Sequence, residues 1–145
     1  MRSRTLTVAL AVAVAACGGG NGFITLPQTE ATASRCEEAS RSLLDEVASM
    51  LTVSGGGTLR DGMLVRSNDF DYVFFLAAEI DGPGLTERGD IGIWATNGPE
   101  GSGLILSADA VANEFSDWLH GPETDFGVDQ FDDGAQEAER CQASR

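Results

Sequence analysis

Apolar side chains alternate through residues 69–81, DFDYVFFLAAEID, the longest run of large apolar residues after position 16. Phe70, Tyr72, Phe74, Leu76, Ala78 and Ile80 fall on one side, whereas the other reads Asp69, Asp71, Val73, Phe75, Ala77, Glu79, Asp81. A period of two with aromatic and β-branched residues predicts a strand rather than a helix. One face is core and the other is apolar only in its middle, which suits a central strand whose ends reach water.

The remaining elements are placed against this strand. Ser34 and Glu37 have the spacing of a capping box, which predicts a helix start. The apolar stripe Cys36, Ala39, Leu43, Val47 and Met50 then continues until the glycines at 55–57. Asp61-Gly62 signals a turn or bulge ahead of a short first strand over 63–66. Ile91, Ile93 and Ala95 alternate with more polar neighbours across 90–96, giving a third strand, and 104–106 gives a fourth. Ser107 is a candidate N-cap for a second helix along Val111, Phe115 and Trp118, ended by Gly121-Pro122. A short third helix is expected over 132–141, where Ala135, Ala138 and Cys141 share a side. The expected fold is α+β: an N-terminal helix, a four-stranded antiparallel sheet covered on one face, and two C-terminal helices.

Composition narrows the functional classes. A length of 145 residues with 18 glycines allows one domain of moderate core. The 23 acids face nine basic residues, all arginine, for a formal net charge of −14. Such a surface repels nucleic acid, which is therefore not an expected partner.

Residues 1–16 combine Arg2 and Arg4 with an apolar stretch too short to span a bilayer, the pattern of a secretory signal. Val14-Ala15-Ala16-Cys17 then resembles the lipobox of bacterial lipoproteins, in which an aliphatic and two small residues precede the lipidated cysteine. The resemblance covers residues 1–17 only. It implies that Cys17 becomes the acylated N-terminus of the mature chain, anchored on the extracytoplasmic face of a membrane by acyl chains worth about 0.8 kcal/mol per buried methylene. Residues 17–33 read as a lipidated tether rich in Gly, Thr and Ala, and 34–145 as the folded domain. With Cys17 acylated, Cys36 and Cys141 are the thiols that remain, and in an oxidising compartment they are expected to form a disulfide.

The chemistry-bearing patterns are weak. His120 is the one histidine; Gly101-Ser102-Gly103 lacks the leading glycine of a nucleophile elbow; and Phe131 occupies the third position of any calcium loop that begins at Asp129. Trp94 and Trp118 are expected in core or semi-core packing rather than on an aromatic binding surface. No enzyme, metal site or cofactor is expected. If the strands form a simple meander, Arg60, Asp61, Asp81, Glu87, Arg88, Asp90 and Asp109 gather at one sheet end, and Arg60, Asp81, Glu87 and Arg88 there are the candidate binding residues. The guanidiniums would serve a carboxylate or phosphate on a partner, or would merely offset local acid repulsion. The expected function is that of a membrane-anchored lipoprotein presenting the domain to another envelope protein or to the wall, with a binder of a small ligand or cation as the alternative.

Overall fold

The computed structural model describes residues 35–85 and 89–145. Strand β1 (Glu37–Glu38) precedes helix α1 (Arg41–Ala48). Strands β2 (Thr58–Arg66), β3 (Phe74–Asp81), β4 (Asp90–Thr96) and β5 (Ile105–Ser107) follow, then α2 (Ala110–Phe115), a 3-10 turn (Gly121–Glu123) and α3 (Ala135–Ala143). All neighbours are antiparallel in the order β1-β2-β3-β4-β5. The α+β class and the meander hold, with five strands in place of the expected four.

The extra strand corrects the expected helix start. Ser34 lies outside the described residues, and Glu37 and Glu38 pair with Leu64 and Met63 instead of opening a helix. Two anchors draw this stretch into an extended path. Cys36 is bonded to Cys141 with its Cα 6.0 Å away, and the Ala39 N–H donates to the Gly62 carbonyl at 3.0 Å. The helix is capped six residues later than expected, where the Ser40 Oγ accepts from the Leu43 N–H at 3.2 Å.

The expected central strand is shorter and its partner longer. Ser67 Oγ accepts from the N–H groups of Asp69 and Phe70, and its own N–H donates to Val73 O at 2.9 Å, so 67–73 closes as a turn and β3 begins at Phe74. Tyr72 takes a left-handed φ of 63° there, which removes its side chain from the strand pattern. Asp61-Gly62 is a bulge inside β2: Arg60 pairs with Glu79 and Met63 with Ala77, so two residues oppose Ala78 alone. A Cβ on Gly62 would stand 2.6 Å from Leu44 Cδ2, and the bulge therefore also seats α1 on the sheet.

Both sheet faces are covered, in contrast to the single covered face expected. Leu76, Ala78, Ile80 and Trp94 pack under Leu43, Leu44 and Val47 of α1 and Ala112 of α2. Phe75, Ala77, Ile93 and Ala95 pack under α3 through Ala135, Ala138 and Cys141. The apolar middle of the odd-numbered face of β3 is thus the footprint of α3, whose small residues let its backbone approach. Gly134, with φ 97°, stands at the N-cap of α3 and not in its interior.

Helix α2 also departs from expectation. Asp109 caps it, accepting from Ala112 N at 2.8 Å and from Ile93 N at 3.1 Å, while Ser107 remains in β5. It ends at Phe115 because the next residues pair with the segment after α1: Thr52 N donates to Phe115 O and Asp117 N to Met50 O, each at 2.9 Å. Trp118 leaves the helix and donates from Nε1 to Val47 O at 3.0 Å, and Trp94 is fully buried, as core packing requires.

Candidate functional site

The meander brings Thr58, Asp81 and Asp90 to one sheet end, where the arginine surface was expected. Arg60 is already committed there. Its Nη2 lies 2.7 Å from Glu79 Oε1 and its Nε 3.7 Å from Asp81 Oδ2. Glu79 Oε1 also accepts from Gly89 N at 2.8 Å, which closes the β3–β4 connection onto the sheet. Glu87 and Arg88 lie outside the described residues. Asp109 is not part of this cluster; it is buried beside β4, and desolvation raises its carboxyl pKa against the opposing pull of its two backbone donors.

The opposite end carries an apolar cleft of about 350 Å³. Three segments build it. The 67–73 turn contributes Phe70, Asp71, Tyr72 and Val73, and the β4–β5 connection contributes Asn97 and Leu104. Phe126 and Val128 come from the loop before α3. Ala95, Leu106 and Val128 form a buried floor, with Thr96 at its end. Alanine at position 95 creates the depth, since a larger residue on that face of β4 would fill the space.

Local chemistry holds each wall. Asn97 Oδ1 accepts from Leu104 N at 2.9 Å, fixing the width of the β4–β5 connection, and Ser42 Oγ donates to Glu100 O at 2.7 Å, bracing that connection on α1. Thr124 Oγ1 donates to Gly121 O at 2.7 Å, and Gly127, with φ 60°, accepts the reversal that pushes Phe126 outward. The result is a rim of large apolar groups in water: Tyr72 is 73% exposed, Phe126 62% and Leu104 39%. Scattered exposed apolar residues are ordinary, but here three of them converge around one cleft.

Beside this cleft stands an ion-pair cluster that is structural in geometry. Arg35 Nη1 lies 2.8 Å from Asp133 Oδ2, its Nε donates to Glu137 Oε2 at 2.9 Å, and Nη1 also donates to Arg66 O at 3.0 Å. Asp133 accepts in addition from Asn68 N at 2.8 Å. The guanidinium holds the Asp133 carboxyl below the usual carboxylate range, and the hydrogen bonds that Arg35 donates to Asp133 and Glu137 push it above its ordinary value despite some desolvation. These donors tie the chain entry to the 67–73 turn and α3.

Among the described residues no group of three or more His, Cys, Asp or Glu could hold a metal ion, and no helix is long and apolar enough to cross a membrane. His120 Nδ1 is buried without a hydrogen-bond partner. Comparison of the chain with protein-family models, with curated proteins and with solved structures finds no match.

Sequence reasoning passed over the cleft because its parts are far apart in the chain. Alternation puts Tyr72 on the core side of the expected central strand, and Phe126 lies in an acidic, turn-rich stretch. The usable signal was Phe126 itself, a large apolar residue between Asp125 and Gly127 with no helical or strand period to bury it.

Proposed function

We propose that the chain is a lipoprotein, anchored through an acylated Cys17 on the extracytoplasmic face of a membrane, whose domain recognises another envelope component through the apolar cleft. The lipobox-like Val14-Ala15-Ala16-Cys17 supports the anchor, and the rim of exposed Tyr72, Leu104 and Phe126 over a buried apolar floor supports recognition at that end. The cleft is open, and its lining is mainly apolar, with Asp71, Tyr72, Thr96 and Asn97 as the residues that carry polar groups. A small-molecule site encloses most of its ligand, whereas an apolar side chain of a partner can seat in an open cleft that the partner's own bulk seals from water. This favours a macromolecular partner over a small polar ligand.

Two substitutions test the parts separately. Cys17→Ser removes the acceptor thiol and is expected to release the chain from the membrane fraction; equal processing and equal membrane retention would contradict the anchor. Phe126→Ala is expected to abolish recovery of the native envelope partner, while Arg60→Gln, at the other sheet end, leaves it intact. The opposite pattern would move recognition to the Arg60 end.

A further inference from the structure

We infer that the cleft's occupant is a basic segment of an envelope protein, in which one aromatic or large aliphatic side chain enters the cleft and flanking lysines or arginines contact its rim. This rests on the cleft being the recognition site, and it adds the chemistry of the partner.

Charge complementarity carries the argument. Asp69 and Asp71 lie in the turn that forms one wall and Asp125 adjoins Phe126 in another, and all three are exposed. Among the described residues no arginine lines the cleft. Arg35, at the same sheet end, is held by Asp133 and Glu137, and Arg66, at the end of β2, pairs with Phe74 on the α1 face of the sheet, opposite the face that carries the cleft floor. A partner with acidic flanks would meet uncompensated repulsion there, while a basic one gains attraction and a faster encounter.

Shape sets the anchor. The cleft volume of about 350 Å³ is at the low end for a ligand site, and its floor of Ala95, Leu106 and Val128 offers no hydrogen-bonding side chain, so what enters is an apolar group without polar atoms at its tip. The exposed rings of Tyr72 and Phe126 stand where a flanking guanidinium or ammonium can lie on a ring face, an attraction that strengthens as water is excluded. A bilayer fits the same rim less well, because anionic headgroups would face the same three aspartates.

The test uses the full chain in detergent and fluorescently labelled nonapeptides with a central phenylalanine, flanked by arginines, by serines or by glutamates. The arginine peptide is expected to bind most tightly and to weaken as salt rises from 20 to 300 mM, a range in which the screening length falls from about 20 Å to about 6 Å. Phe126→Ala is expected to weaken it about ten-fold or more, as loss of an aromatic anchor does. The pair Asp71→Asn and Asp125→Asn is expected to weaken it about five-fold at low salt and little at high salt. Ala95→Leu, which fills the floor, should abolish binding; its melting curve shows whether it folds, and Phe126→Ala, at an exposed position, decides the matter if it does not.

Equal binding of the arginine and serine peptides overturns the charge inference while leaving the cleft as the recognition site. Arginine-peptide binding that survives Phe126→Ala places the charge effect elsewhere and also overturns it, as does the absence of binding by any peptide at millimolar concentration. In a second arm the full chain is reconstituted in phosphatidylcholine vesicles. Strong quenching by brominated lipid of the fluorescence introduced by Phe126→Trp would assign the rim to the bilayer instead; no added quenching is expected.

Discussion

Removing the Cys36–Cys141 bridge should reduce stability more than any single substitution in the sheet. The two cysteines are 105 residues apart, and cross-linking a loop of that length restricts the unfolded chain by about 4.7 kcal/mol in the chain-entropy treatment. The folded state gives little of this back on reduction. β1 remains paired to β2, and Arg35 still holds Asp133 and Glu137, so the native geometry near the bridge has other supports. The penalty therefore appears in the unfolded ensemble. It is large against a total stability of about 5–15 kcal/mol for a domain, and at roughly 4–5 °C per kcal/mol the melting temperature should fall by about 20 °C. Circular dichroism melts of the oxidised and reduced full chain in detergent, with alkylation to count free thiols, measure it. Arg35→Ala should cost about 1–2 kcal/mol in either redox state, because its partners are only partly buried. A drop of less than about 5 °C with two thiols freed would refute the loop argument, and so would two alkylatable thiols in the native oxidised chain.

Further outcomes follow from the bulge, the indole contact and the charged cluster. Gly62→Ala should lower stability by about 1–3 kcal/mol in urea melts, because the added methyl meets Leu44 at 2.6 Å; a neutral effect would show that α1 shifts freely on β2. Gly92→Ala should alter near-ultraviolet dichroism, since its Cβ would stand 2.5 Å from Trp94 Cη2, and an unchanged spectrum would contradict that contact. Arg35 depresses the Asp133 pKa, so its contribution is present above the ordinary carboxylate pKa and is lost as pH falls through the depressed one. Asp133→Asn should therefore cost stability at neutral pH and progressively less below about pH 4. Asp109 works in the other direction: its raised pKa makes the ionised form the unfavourable one, so its contribution to stability declines as pH rises from the ordinary carboxylate value through the raised one. Asp109→Asn should reduce that decline, and an unchanged pH profile would contradict it.

The sheet was legible in the sequence where side-chain alternation is local. The span 90–96 coincides with β4, and Asp61-Gly62 marked the bulge by its own chemistry. What failed was governed by distant partners. Glu37 and Glu38 have no strand-like pattern and become β1 through the Cys36 bridge and the edge of β2. The stripe through Phe115 and Trp118 looked helical to its end, but pairing of 116–117 with 50–51 interrupts it. The cleft was invisible for the same reason. Its walls are three connections joined only by the meander, and Tyr72 fits an alternating pattern that its positive φ breaks. Arg60 shares a sheet end with Asp81, and its nearer partner is Glu79, which sits opposite it across β2 and β3 and which the pattern of the chain does not single out.

Site-specific photo-crosslinking in the producing cell tests the central claim most directly. A photoreactive phenylalanine analogue at position 126 reports on the cleft, and one at position 58 reports on the Arg60 end. The account predicts a discrete protein adduct from position 126 that disappears when Ala95→Leu is added to a folded chain, and no matching adduct from position 58. An adduct from position 58 alone, or one from position 126 that is unchanged by Ala95→Leu, would contradict recognition through the cleft.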